Sequence, residues 1–284
     1  MTGLELATIA LRAFVYAGSI AVAGGALFRV SLPRAASMVA PTLKHQIVAG
    51  FAVLLLVEPL RYCVFQLTIA DGDAGLAFGP ELRSMAFQTP IGQAALVRLA
   101  AAIVVLGATL LRAYVSAAIA ASVMIAAFLL EGHTAASDLR IWAAPLLALH
   151  LAAVHWWLGA LFPLIAVTRL ADPAAIALAI EAFGRQALWV VATLVAAGSI
   201  LAVLLTGATV NLASPYQQRL LVKLALVIGL ISIAALNKLR LTPMLRTNPV
   251  LGAQMLRTSI RIEILLAFSV LTATAWLTAT APDN

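Results

Sequence analysis

Residues 89–130 read TPIGQAALVRLAAAIVVLGATLLRAYVSAAIAASVMIAAFLL, and the only charges in that stretch are Arg98 and Arg112. A helix needs about 20 predominantly apolar residues to cross the roughly 30 Å hydrocarbon core of a bilayer. This stretch is long enough to cross twice, and Arg112 is the one place where it is interrupted. If the chain turns back at Arg112 it makes two spans. If it runs through as one very long helix, the far end of the protein changes sides.

The same reading extends in both directions. The chain has 284 residues, 63% of them hydrophobic and 10% charged, with a mean hydropathy of +1.05. A soluble domain carries roughly 25% charged residues, so this apolar excess needs lipid as its solvent. Apolar runs between polar punctuation place helix 1 at about Leu4 to Val30, helix 2 at Lys44 to Ile69, helix 3 at Ile91 to Leu111 and helix 4 at Arg112 to Leu130. Helix 5 follows at Trp142 to Val167, helix 6 at Leu178 to Leu205, helix 7 at Arg219 to Leu239 and helix 8 at Gln254 to Thr278. The expectation is an all-α, polytopic integral membrane protein of eight transmembrane helices, one membrane domain over residues 1–284.

Charge sets the orientation. The connections between helices 1 and 2, 5 and 6, and 7 and 8 carry Arg29, Arg34, Lys44, Arg169, Arg185, Lys238, Arg240, Arg246, Arg257 and Arg261. The opposite connections hold Arg83 and Arg140, offset by Asp71, Asp73, Glu81 and Asp138. Lysine and arginine collect on the cytoplasmic side of short loops, which puts both termini outside, in the periplasm of an inner-membrane protein. The net charge of +7 is spread over the ends of apolar runs, not gathered in one patch with aromatics, so nucleic acid is not the expected partner. The first residues lack a basic n-region and lead into a run long enough to span, which reads as helix 1 and not as a cleavable signal. The single cysteine, Cys63, excludes an internal disulfide and any CxxC pair.

Two echoes point to duplication. TPIGQAALVRLA from Thr89 to Ala100 aligns with SPYQQRLLVKLA from Ser214 to Ala225, and GALF occurs at Gly25–Phe28 and again at Gly159–Phe162. Both relate helix n to helix n+4. They imply two parallel four-helix repeats, residues 1–131 and 142–280, related by an axis along the membrane normal. Parallel repeats of this kind occur in transporters, with sites at the repeat interface.

Polar groups inside spans are costly and mark function by default. His133 stands at the outer end of helix 4, while His150 and His155 lie on helix 5 and His45 opens helix 2. Neutral imidazole is the commonest metal ligand. Positions 150 and 155 are roughly 140° apart around a helix, so they do not easily chelate one ion together. His133 with His150, on consecutive helices, is the expected metal pair, with His155 as a deeper ligand or a core hydrogen-bonding group. Lys223, Met124 and Tyr16 are the candidates to line a conduit. Glu58 and Arg98, at similar depth on helices 2 and 3, are expected to form a structural ion pair, with Arg61 competing for Glu58. Trp156 and Trp157 lie mid-span and should pack the bundle. No Walker A loop, phosphorylation sequence, HExxH or Ser-His-Asp arrangement stands out, so the chain is not expected to be an enzyme or an ATP-driven pump.

The motifs also resemble a known family. GHTAAS at His133 followed by LHLAAVHWWLGALFPL is similar to the GHA…HLLAAAVWLGGL pattern of the copper resistance protein D (CopD) family. SPYQQRLLVKLALVIGLISIAALNKLRLTP and LRTSIRIEILLAFSVLTATAWL resemble two further stretches of that family in the same order. The chain departs from the pattern at Gln217, where glycine is expected, and at His155, and it lacks methionine-rich outer loops. The resemblance implies movement of copper, as Cu(I) or Cu(II), across the inner membrane through His133 and His150. It also implies a possible periplasmic partner of the copper carrier (CopC) type. Two other readings of the histidines stay open: a haem-binding membrane electron carrier, and a non-transporting partner in copper-enzyme assembly.

Overall fold

A computed structural model of the protein describes residues 2–81, 85, 88–132, 139–206, 211 and 213–280, and no strand occurs among them. Helix 1 is Gly3–Ser31, helix 2 Ala40–Ile69, helix 3 Pro90–Leu110 and helix 4 Tyr114–Ala126, ending in a 3-10 turn at Ala127–Leu130. Helix 5 is Arg140–Gly159 continued by Leu161–Val167, and helix 6 is Pro173–Thr206. Helix 7 is Pro215–Leu236, followed by a π turn at Asn237–Leu241 and a short helix at Thr242–Thr247, and helix 8 is Pro249–Leu277. Seven of these helices are long and apolar enough to cross a membrane, and Tyr114–Leu130 is a shorter apolar helix. The protein is therefore an all-α, multi-pass membrane protein. All eight expected segments are helical, with the fourth short of the others.

The chain does turn back at Arg112. Helix 3 ends there because Arg112 adopts the left-handed conformation at φ 59°, at a cost of roughly 1–2 kcal/mol for a non-glycine residue. The turn closes on the last helical carbonyls, with Leu111 N–H donating to Gly107 O at 3.0 Å and Ala113 N–H to Ala108 O at 2.8 Å. Helices 3 and 4 then pack against each other. The aligned TP and SP sites have a shared physical meaning. Thr89 Oγ1 accepts from Gly92 N–H at 3.2 Å and Ser214 Oγ from Gln217 N–H at 3.3 Å, each just before a proline in the first turn.

Helix 1 is the hub, in contact with helices 2, 3, 4, 5 and 8. It can be so because small residues let backbones meet. A Cβ on Gly24 would fall 2.3 Å from His155 O and 2.5 Å from Gly159 Cα, so helices 1 and 5 touch main chain to main chain. Pro163 has no N–H to return to Gly159 O, four residues back, and that freed carbonyl is taken by Gln46. Gln46 Nε2 donates to Gly159 O at 2.9 Å and to Ala21 O at 3.1 Å, tying helix 2 to helices 5 and 1. Helix 1 also packs on helix 8, and helix 5 on helix 4. Arg12 Nη1, near the start of helix 1, donates to Thr278 Oγ1 at the end of helix 8 at 2.9 Å, so the bundle begins and ends on one side. Trp156 and Trp157 are buried, Trp156 stacking on Phe183 at 5.3 Å and donating from Nε1 to Ser31 Oγ at 2.9 Å. Large apolar side chains such as Ile228, Leu265 and Ile141 are left outward, where lipid solvates them.

Candidate functional site

Helix 5 carries two histidines that look in different directions. His155 is buried at the crossing with helix 1. Its Nδ1 lies 2.7 Å from Leu151 O, an acceptor, so Nδ1 holds the ring proton and Nε2 is left with a lone pair. That lone pair faces Ser19 Oγ at 3.3 Å, while Phe128 packs on the ring with centroids 6.0 Å apart. Ser19 Oγ is also 2.9 Å from Tyr16 O. Its one hydroxyl proton can go to Tyr16 O or to His155 Nε2, not to both.

His150 turns toward helix 6. Its Nδ1 is 3.2 Å from Leu194 O, and a Cβ on Gly198 would come within 3.0 Å of the ring. Gly198 therefore makes the slot into which the imidazole fits. The backbone acceptor again assigns the proton to Nδ1 and leaves Nε2 bare. This is the arrangement that orients metal-ligating histidines elsewhere, one nitrogen committed to a carbonyl and the other presented to the ion. Lys223 stands on helix 7. Among the described residues Lys223 has no carboxylate beside it.

The charged residues of helices 2 to 4 form a closed cluster. Arg98, with no exposed surface, donates from Nε to Glu58 Oε1 at 2.5 Å, from Nη2 to Glu58 Oε2 at 3.2 Å and from Nη1 to Glu131 Oε1 at 2.8 Å. Arg61 reaches Glu58 at 3.6 Å and pairs closely with Glu131. Two guanidinium groups thus face two carboxylates, which leaves no net buried charge. Burial raises the carboxyl of Glu131, just past the last turn of helix 4. Arg98 and Arg61 outweigh that effect and hold it below its ordinary value. Arg98 also stacks on Phe128 at 4.6 Å, the ring that packs against His155. One aromatic thus separates the ion cluster from the buried imidazole.

The remaining expected site residues are scattered. Met124 is fully buried in the core of the first four helices, and Tyr16 packs on Phe128 with centroids 5.7 Å apart. His45 is exposed at the start of helix 2. His133, with the GHTAAS motif, lies outside the described residues. Among the described residues no group of three His, Cys, Asp or Glu side chains converges to hold a metal. Two carboxylates within the bundle went unnoticed in the sequence. Glu131 was discoverable by charge balance, since two intramembrane arginines need a second carboxylate besides Glu58. Glu263, which accepts from Asn237 Nδ2 across helices 7 and 8, had no such signal, because Asn237 reaches it from the irregular π turn.

Residues 3–141 match the family model described as "Copper resistance protein D-like, N-terminal domain", and residues 177–277 match "Copper resistance protein D". His150 and His155 fall between the two matched stretches. No curated protein and no solved structure gives a match.

Proposed function

The chain belongs to the copper resistance protein D family, and from that membership we propose that it carries copper across the bacterial inner membrane. The capture site in this reading is the pair His133 and His150 near the outer face, with His155 deeper in the bundle. One observation carries the choice of His150. Its Nδ1 is committed to Leu194 O at 3.2 Å, so a neutral ring offers Nε2 to a soft cation. His155 satisfies the same condition but is enclosed by Ser19 and Phe128, which suits relay better than capture. Copper is the cargo, as Cu(I) or Cu(II).

The orientation in this proposal rests on charge. Basic connections face the cytoplasm and both termini are periplasmic. The Arg12–Thr278 bond, which joins the two ends on one side, is what eight crossings require. The parallel-repeat reading draws support from the caps at Thr89 and Ser214. It also draws on the paired contacts of helix 1 with helix 8 and helix 5 with helix 4. A membrane potential negative inside favours cation entry by about 2.3 kcal/mol per charge for each 100 mV, so the proposed direction is inward. A periplasmic carrier of the CopC type would supply the ion.

Lys223 is a cation within helix 7. On the ion's route its ammonium opposes a second cation, so Lys223→Met is expected to tighten copper binding, on the order of tenfold at the effective dielectric of a protein interior. Weaker or unchanged binding, titrated with a chromogenic chelator in competition, would place Lys223 away from the ion's route. The proposal as a whole is tested by uptake of radioactive copper into proteoliposomes. Uptake by the wild type that is abolished in His150→Ala is the expected result. Copper bound without flux would instead indicate an assembly partner, and a Soret band in the purified protein would indicate a haem carrier.

A further inference from the structure

On the basic side of the bundle, helices 2, 5 and 8 leave a groove of about 530 Å³ between them. It is lined by Phe162, Ile165, Ile264 and Leu265, with Arg169 and Arg261 beside them. We propose that this groove binds one anionic phospholipid of the surrounding bilayer. The phosphate would sit between the two guanidinium groups and an acyl chain along the apolar wall.

Contrast with a neighbouring arginine makes the case. Arg257, one turn from Arg261 on helix 8, is engaged by the protein itself: its Nη2 donates to Thr168 O at 2.6 Å and its Nε to Thr168 Oγ1 at 3.1 Å. That clamp fixes the end of helix 5 against helix 8 and so sets Arg169, the next residue, on the same groove as Arg261. Arg169 and Arg261 are both exposed, and among the described residues no side chain or carbonyl accepts from either guanidinium. None of the groove's lining residues is acidic. Two like charges line this groove without an acidic side chain in its wall, and a phosphodiester supplies the missing anion. Basic pockets between membrane helices on the cytoplasmic side suit such headgroups. The apolar wall, continuous with the lipid-facing surface, selects a lipid over a free anion.

The test uses the full chain in nanodiscs of phosphatidylcholine with and without phosphatidylglycerol, read by melting temperature and by native mass spectrometry for retained lipid. The wild type is expected to gain stability from phosphatidylglycerol and to keep one such lipid through detergent exchange. Arg169→Ala/Arg261→Ala is expected to bind it about twentyfold or more weakly, at about fivefold for each cation near a membrane surface. The control Arg34→Ala/Arg240→Ala removes the same charge from the same side and should keep the lipid. If both double variants lose it equally, or if inorganic phosphate alone reproduces the stabilisation, the groove is not a lipid site.

Discussion

Replacing Glu58 with alanine is expected to destabilise the protein by about 3–5 kcal/mol, the range for removing one partner of a buried ion pair. The Glu58→Ala/Arg98→Ala double variant should recover part of that loss. Glu58 holds Arg98 at 2.5 Å through Nε and 3.2 Å through Nη2, and Arg98 has no exposed surface from which water could take over. With Glu58 gone, two guanidinium groups share the single carboxylate of Glu131 and one buried positive charge is left over. Removing Arg98 as well restores neutrality, because Arg61 and Glu131 remain as a matched pair. Equilibrium unfolding in mixed detergent micelles measures all three proteins. A double variant no more stable than the single would mean that the four charges do not act as one balanced cluster.

The second large effect is expected at the helix 1–helix 5 crossing. A Cβ on Gly159 would stand 2.4 Å from Gly24 Cα and 2.9 Å from Ile20 O. No side-chain rotation relieves a clash with backbone, so Gly159→Ala must drive the two helices apart. Separation also breaks the Gln46–Gly159 hydrogen bond of 2.9 Å and strains the Trp156–Ser31 bond of 2.9 Å. Overpacking a core costs about 1–3 kcal/mol when side chains can yield, occasionally more, and this site should lie at or beyond the top of that range. The expected outcome is a collapse in monodisperse yield and melting temperature. Gly229→Ala, where nothing lies within 4 Å of the added carbon, should behave like the wild type. A Gly159→Ala protein of unchanged melting temperature would contradict the close crossing.

Much of the architecture was legible because lipid imposes a simple rule on sequence. Any apolar run of crossing length must be a helix with its backbone satisfied internally, and Arg112 was the only possible hinge between helices 3 and 4. The Glu58–Arg98 contact was readable for a similar reason, since charges at matched depth on sequential helices have few alternatives. What escaped the sequence depends on rotation about helix axes. The direction of His150 toward helix 6 is set by the Leu194 carbonyl and the slot at Gly198, and no spacing rule reports either. The GALF echo was read as duplication alone. In the fold its glycine at position 159, with Gly24 beside the other copy, is also where helices 1 and 5 meet main chain to main chain. The expected pairing of His133 with His150 rests on a residue outside the described ones and stays a proposal.

In the proposed route a bare imidazole nitrogen on helix 5 receives copper. Its most direct test is copper content and X-ray absorption of the purified protein loaded with Cu(I), compared across wild type, His150→Ala, His133→Ala and His45→Ala. Nitrogen-ligated copper is expected in the wild type and in His45→Ala, and its loss in the other two variants. Copper retained in full by His150→Ala, with an unchanged spectrum, would contradict it.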